Sequence, residues 1–139
     1  MKTLYLLRHA QALPSSAAIG DFDRVLSPKG IEDATKLGTV LKQQNASIDL
    51  IKCSSAKRTQ LTTEHVLAGL EQSIHTEYSK SIYNARVSDL FTMIQDADDK
   101  IETLMIVGHN PTIYELVSRL AASGSNAVFD SLAHGSAPA

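Results

Sequence analysis

An arginine and a histidine stand side by side, as Arg8 and His9, directly after the first apolar run of the chain. The run at residues 3–7 predicts a buried strand, and α/β proteins place their ligand sites at the carboxyl ends of such strands. A permanent cation beside a neutral imidazole is suited to binding an anion and attacking it. The pair therefore predicts a nucleophile, His9, next to an anion-binding Arg8.

A second arginine and a second histidine follow two later apolar runs. Arg58 comes after residues 50–54, and His109 comes after residues 104–108. The guanidinium of arginine donates two parallel hydrogen bonds to phosphoryl oxygens and stays charged. At a strand end and helix start, His109 can donate to the same group, helped by free backbone N–H groups. Two arginines and two histidines at three strand ends predict phosphoryl chemistry.

The neutral imidazole of His9 can attack phosphorus through one ring nitrogen. The product is a phosphohistidine, which water then hydrolyses. The other ring nitrogen needs an acceptor that fixes the tautomer, and we expect a nearby backbone carbonyl to supply it.

Apolar runs alternate with helical patterns along the chain, and Ser27 and Pro28 have the residue types of a helix N-cap and first turn. We predict strands at residues 3–7, 50–54, 74–78, 103–107 and 128–129, and helices at 28–44, 57–70, 89–96 and from 110 onward. This order predicts a single α/β domain over residues 1–139, with helices packed on a mainly parallel sheet. Residues 133–139 are expected to be poorly ordered or cut short.

The composition excludes several classes of protein. The 139 residues carry a formal net charge of −2, whereas a nucleic-acid-binding surface needs a basic stripe. No apolar stretch is long enough to span a membrane, and the run before Arg8 is too short for a signal peptide. The single cysteine, Cys53, lies in a strand pattern, which predicts a buried thiol in a reducing compartment. We therefore predict a cytoplasmic protein with no nucleic-acid or membrane partner.

Four segments resemble signatures of the histidine phosphatase superfamily. They are Leu7-Arg8-His9-Ala10, Ser54-Ser55-Ala56-Lys57-Arg58-Thr59-Gln60-Leu61-Thr62, Val107-Gly108-His109-Asn110-Pro111 and Asp23-Arg24-Val25-Leu26-Ser27-Pro28-Lys29-Gly30. The last segment resembles one found in the SixA-type phosphohistidine phosphatases, whose small size the chain shares. The resemblance extends from residue 1 to about residue 120. It implies a three-layer α/β/α sandwich of the phosphoglycerate mutase-like fold.

The resemblance also implies roles for individual residues. By it, His9 is the residue that becomes phosphorylated, and Arg8, Arg58 and His109 form the phosphate pocket. Arg24, in the segment before the first long helix, is implied at the rim of that pocket. No metal and no other cofactor is implied. The chain departs from the common family pattern in carrying Ala10 in place of glycine and Ser55 in place of proline.

The general acid of phosphoglycerate mutase-like members has no counterpart where the resemblance places it. Those members carry a glutamate after the third strand, whereas residues 79–86 contain no carboxylate and are only flanked by Glu77 and Asp89. General-acid help in expelling an alkoxide is typically worth about 10²–10⁴-fold. Imidazole is a much weaker base, with a parent pKa of about 6.5, and leaves without such help. The missing acid therefore favours a phosphohistidine substrate.

Three functions are weighed on these observations. The leading hypothesis is a phosphohistidine phosphatase that acts on a partner protein, such as a histidine phosphotransfer domain, through phospho-His9. The alternative is a phosphomonoesterase for a small metabolite, with Asp89, Glu77 or Tyr83 as the acid. The third is a non-catalytic phosphate-binding module, against which the intact nucleophile and both arginines argue.

Overall fold

The structure, a computed structural model, describes residues 3–122 and the backbone of residues 127–129. The strands are β1 Thr3–Arg8, β2 Leu50–Ser54, β3 Thr76–Ser79, β4 Thr103–Gly108 and β5 Ala127–Phe129. The helices are α1 Pro28–Gln43, α2 Lys57–Leu70, α3 Lys80–Tyr83, α4 Val87–Gln95 and α5 Thr112–Ala122, with a 3-10 turn at Asp21–Asp23. The strands form one sheet in the order β3-β2-β4-β1-β5, and all its pairs are parallel.

Two apolar cores lie on the two faces of the sheet. Successive strand residues point to opposite faces, so Leu7 joins the core formed with α1 and α2, while Leu4 and Leu6 join the core formed with α4 and α5. Cys53 is fully buried in the first of these cores, as its position in the sequence predicts. The predicted three-layer α/β/α sandwich with a parallel central sheet is confirmed.

The order of the strands explains where a ligand site forms. From β1 the chain passes through α1 to β2 and through α2 to β3; it then returns to β4 and passes through α5 to β5. Right-handed crossovers that run in opposite directions along a sheet place their helices on opposite faces. The neighbouring strands β1 and β4 thus lead to opposite faces, and a crevice opens between their carboxyl ends.

The first helix begins as its sequence predicts. The side chain of Ser27 accepts a hydrogen bond from the backbone N–H of Gly30 at 3.0 Å, and Pro28 occupies the first turn. The backbone N–H of Ser27 also donates to the carbonyl of Gln11 at 2.9 Å. A Cβ atom on Gly30 would lie 2.1 Å from that carbonyl oxygen, so only glycine allows this approach. The start of α1 therefore packs closely against, and is hydrogen-bonded to, the loop that follows His9.

The element boundaries differ from the predicted ones in a few places. The third strand lies two residues later than predicted at its start, and α4 begins at Val87 instead of residue 89. The short helix α3 lies in a segment for which no element is predicted. The predicted strand at residues 128–129 lies within β5, whereas residues 133–139 lie outside the described residues. Among the described residues, no helix combines the length and apolar character needed to cross a lipid bilayer.

Candidate active site

The crevice between β1 and β4 brings the two histidines together. Arg8 ends β1 and pairs in register with Gly108, which ends β4. The backbone N–H of His9 donates to the carbonyl of Gly108 at 3.1 Å, and the ring centroids of His9 and His109 are 5.5 Å apart. Arg8 and His9 are only 3% and 6% exposed. A cation and an imidazole are thus both buried at the crevice.

Arg58 reaches the crevice from the segment that follows β2, the other strand neighbour of β4. It lies in the first turn of α2 and is 5% exposed. Its Cζ atom is 5.9 Å from the centre of the Tyr83 ring, and that ring lies 5.4 Å from the ring of His109. The structure thereby gathers Arg8, His9, Arg58 and His109 at one edge of the sheet. Their roles in binding and catalysis remain predictions.

The tautomer of His9 is set by its neighbour. Nδ1 of His9 lies 2.7 Å from the carbonyl oxygen of Ala10. Because a carbonyl can only accept, Nδ1 carries the proton and Nε2 keeps its lone pair. Burial, with the nearby positive charges, lowers the pKa of His9 to about 3. The imidazole is therefore neutral near pH 7, with Nε2 ready to act as a nucleophile.

Thr62 connects the loop of the nucleophile to the helix of Arg58. Its Oγ1 accepts a hydrogen bond from the backbone N–H of Ala10 at 3.0 Å and donates to the carbonyl of Arg58 at 2.7 Å. The backbone of Ala10, whose carbonyl orients His9, is thus hydrogen-bonded to α2 through its own N–H. This contact gives a physical reason for a threonine at the end of the second signature segment.

Ser54 orients His109, a contact that sequence reasoning misses. Its Oγ lies 2.8 Å from Nε2 of His109 and also accepts a hydrogen bond from the backbone N–H of Ala56 at 3.3 Å. Ser54 is fully buried, so its hydroxyl proton needs an acceptor, and among the described residues Nε2 of His109 is placed to be that acceptor. This pairing assigns the proton of the neutral ring to Nδ1 of His109. That nitrogen is buried without a hydrogen-bond partner among the described residues, so its N–H is not engaged by them.

We expect Ser54→Ala to lower kcat about tenfold, because the lost hydrogen bond releases the ring orientation and tautomer of His109. KM should change little. Steady-state kinetics on a phosphorylated substrate would check this. The matched control is Ser55→Ala, because the Ser55 hydroxyl is buried and makes no hydrogen bond in the described structure. Equal effects of the two substitutions would contradict the role assigned to Ser54.

A carboxylate that the sequence does not single out, Asp21, binds Arg58. Nη1 of Arg58 donates to the backbone carbonyl of Asp21 at 2.6 Å, and Nη2 donates to Oδ2 at 3.1 Å. The hydroxyl of Tyr83 donates to the same Oδ2 at 2.6 Å, and Nη1 of Arg24 donates to Oδ1 at 3.2 Å. Four hydrogen bonds from side chains thus meet on one residue of the 3-10 turn.

These contacts keep Asp21 ionised. The hydrogen bond from Tyr83, with the charge and hydrogen bond of Arg58 and the hydrogen bond of Arg24, lowers the pKa of Asp21 to about 2. The same hydrogen bond raises the pKa of Tyr83 above its ordinary value. A carboxylate with no proton near pH 7 cannot protonate a leaving group. Tyr83, with its proton held on Asp21, is a poor acid as well.

The two carboxylates weighed as acids from the sequence have other partners. Glu77 accepts a hydrogen bond from Nζ of Lys52 at 3.1 Å on the surface. Asp89 accepts from the backbone N–H of Arg86 at 2.9 Å and so caps α4. The structure therefore gives both residues surface or capping roles.

Arg24 lies beside the crevice, where the resemblance places the pocket rim. Its Nε donates to the carbonyl of Leu13 at 2.8 Å, in addition to its ion pair with Asp21. After burial and Arg58, the charge of Arg24 is among the causes that lower the pKa of His109 to about 4. Its contact with a phosphoryl group stays a prediction.

The described residues contain no group of three His, Cys, Asp or Glu side chains arranged to hold a metal ion. Guanidinium and imidazole groups lie near His9. This arrangement is suited to binding a phosphoryl group and attacking it through a neutral nitrogen.

Comparison with known proteins places the chain in a family. The model for the histidine phosphatase superfamily (branch 1) matches residues 4–80. An uncharacterized protein of Mycobacterium tuberculosis is 34% identical over 123 residues, which are 87% of this chain and 74% of that protein. A second relative, an uncharacterized protein of Mycobacterium leprae, is 32% identical over 78% of this chain. The chain spans only 65% of the length of that protein.

Solved structures agree with the fold. A protein of Agrobacterium tumefaciens, assigned as a phosphohistidine phosphatase SixA, superposes with a TM-score of 0.80 at 30% identity, over 91% of this chain and 86% of that one. Phosphoglycerate mutase from Bacillus anthracis superposes with a TM-score of 0.69 at 19% identity, over 91% and 83% of the two chains. The second similarity concerns the fold alone and confirms that it is phosphoglycerate mutase-like.

Proposed function

The chain belongs to the histidine phosphatase superfamily (branch 1), and on that premise we propose that it hydrolyses a phosphohistidine of a partner protein through phospho-His9. The proposed partner class is a histidine phosphotransfer domain. We further propose that the enzyme acts in the cytoplasm and needs no metal ion.

The first chemical step uses the groups already gathered in the crevice. Arg8, Arg58 and the Nδ1–H of His109 bind the phosphoryl oxygens, which carry the negative charge. Nε2 of His9 attacks phosphorus in line, and the bond between phosphorus and the substrate nitrogen breaks. The substrate histidine leaves with that electron pair as a neutral imidazole, because its other ring nitrogen carries a proton.

The second step regenerates the enzyme. Water attacks phospho-His9 from the side that the leaving imidazole has vacated, and the new P–O bond replaces the bond to Nε2. One proton of the water passes to solvent or to the departing phosphate. His9 recovers its lone pair, and its Nδ1–H stays hydrogen-bonded to Ala10 throughout.

The engagement of the Asp21 carboxylate by Arg58, Tyr83 and Arg24 is the observation that carries this proposal. The carboxylate bound to Arg58 holds no proton for a leaving alkoxide, and the flanking Glu77 and Asp89 are engaged elsewhere. Expelling an alkoxide without an acid forgoes about 10²–10⁴-fold in rate. Neutral imidazole leaves without that assistance, so this site favours a nitrogen leaving group. The similarity to the Agrobacterium protein gives independent support.

A substrate comparison tests the proposal. We expect kcat/KM for a phosphorylated histidine phosphotransfer domain to exceed that for sugar phosphates by about 10²-fold or more, with EDTA present throughout. Faster hydrolysis of a sugar phosphate would favour the phosphomonoesterase. Turnover of neither substrate, together with binding of inorganic phosphate, would favour the non-catalytic module.

A further inference from the structure

We propose that Asp21 is a positioning residue that holds the end of the Arg58 guanidinium, so that Arg58 presents its side pair of donors, Nε and Nη2, to the bound anion. The identity of that anion as a phosphoryl group rests on the proposed function. The hydrogen bonds between Arg58 and Asp21 are observed independently of that function.

The donors of Arg58 divide into two sets. The end of the guanidinium, Nη1 and Nη2, is engaged by the carbonyl and the carboxylate of Asp21. Nε is buried and has no hydrogen-bond partner among the described residues. Nε and the second N–H of Nη2 form a parallel pair with the spacing that two oxygens of a phosphoryl group match. The structure therefore leaves one complete fork of Arg58 to a ligand.

Asp21 is itself held in place from the other side. The hydroxyl of Tyr83 donates to the oxygen that Arg58 binds, and Arg24 binds the second carboxylate oxygen. The Tyr83 ring packs edge to face against Phe22, the residue after Asp21, with centroids 5.0 Å apart. These contacts fix a residue whose side chain is otherwise 51% exposed. A surface turn is thus held by several contacts where it meets a buried arginine.

The alternative reading is that the carboxylate competes with the ligand for Arg58. A competing anion would occupy Arg58 through its carboxylate alone. Here the shortest contact, at 2.6 Å, comes from the backbone carbonyl of Asp21, and that contact leaves only if the whole turn moves. The two readings predict opposite results: loss of the carboxylate weakens anion binding if Asp21 positions Arg58 and strengthens it if Asp21 competes.

The test compares two carboxylates of the same turn. Asp21→Asn removes the charge that holds Arg58, whereas Asp23→Asn removes an equal charge from an exposed side chain that makes no hydrogen bond or ion pair in the described structure. Binding of tungstate, measured by calorimetry, should weaken about tenfold in Asp21→Asn and stay unchanged in Asp23→Asn. KM for the phosphohistidine protein should rise in parallel.

Measuring tungstate binding in an Arg58→Ala protein separates a positioning role of Asp21 from a general structural effect. If Asp21 acts through Arg58, then Asp21→Asn should cause no further loss of tungstate binding in an Arg58→Ala protein. Tyr83→Phe, which keeps the ring but removes the hydrogen bond to Asp21, should weaken binding in the wild-type background by a smaller factor. This variant tests the positioning of Arg58 by Asp21 even if Asp21→Asn were to fold poorly.

Three outcomes would overturn the inference: tungstate affinity in Asp21→Asn equal to that in Asp23→Asn, tighter binding in Asp21→Asn, or an equal loss with and without Arg58. Failure of the proposed function looks different. In that case the wild-type protein would release no phosphate from a phosphohistidine substrate, while the tungstate comparison would still give its answer.

Discussion

Replacing His9 with alanine is expected to reduce phosphate release from a phosphohistidine protein by at least about 10³-fold. Nε2 of His9 keeps its lone pair, because Nδ1–H donates to the carbonyl of Ala10 and the pKa of the ring is lowered to about 3. Alanine removes the atom that forms the new bond to phosphorus. Release of inorganic phosphate from the labelled partner protein, followed over time, gives the measurement.

His75→Ala is the matched control for this substitution. His75 is 72% exposed and lies at the surface beside Glu77, at the other end of β3 from the site. Its removal should leave phosphate release unchanged. Loss of activity in His75→Ala as well, or residual activity of His9→Ala within tenfold of wild type, would be inconsistent with a nucleophilic His9.

Replacing Arg58 with alanine is expected to lower kcat/KM by about 10²–10³-fold. The substitution removes the buried charge that we propose binds the phosphoryl oxygens, and it leaves Asp21 without the cation that its carboxylate and carbonyl bind. Arg58→Lys should recover only a small part of the loss. A lysine ammonium is a point charge, so it cannot hold the carbonyl and carboxylate of Asp21 and still offer a parallel pair of donors.

The neighbouring Lys57 supplies the control for Arg58. Lys57 begins the same helix and is exposed. Lys57→Ala therefore removes an equal positive charge from the residue next to Arg58 in sequence. Its kinetics should match those of the wild type. Full recovery of activity in Arg58→Lys would show that charge alone suffices and would contradict the fork geometry.

The sequence was informative where periodic apolar runs determine the fold. The runs that became β1, β2 and β4 end at Arg8, Ser54 and Gly108, and a parallel sheet brings its carboxyl ends to one edge. The proximity of His9 and His109 follows from that edge. The second strand and α2 have the boundaries that their patterns predict, because both elements are buried on a regular face.

The sequence does not single out Asp21, for a physical reason. It lies in a loop of small and polar residues, where no periodicity restricts the position of a side chain. Its partner Tyr83 is 62 residues away in sequence and lies on the one-turn helix α3, which is too short to leave a periodic pattern. The sequence could show that residues 79–86 lack a carboxylate. Only the fold shows that a carboxylate reaches Arg58 from a different loop.

Ser54 was missed for a different reason. It ends an apolar strand and is fully buried, so its sequence position resembles that of a core residue. Its role depends on the parallel pairing of β2 with β4, which places its hydroxyl beside the residue that follows β4. The hydrogen bond that orients His109 therefore arises from strand order, which spacing along the chain does not encode.

The most direct test of the central claim is to trap the covalent intermediate. The protein is mixed with a partner protein radiolabelled on its phosphohistidine, quenched in base within one turnover, and digested to locate the label. We expect label on His9, appearing before free phosphate and absent from His9→Ala. Release of phosphate at the full rate with no label on His9 at any time, or label on another residue, would contradict the account.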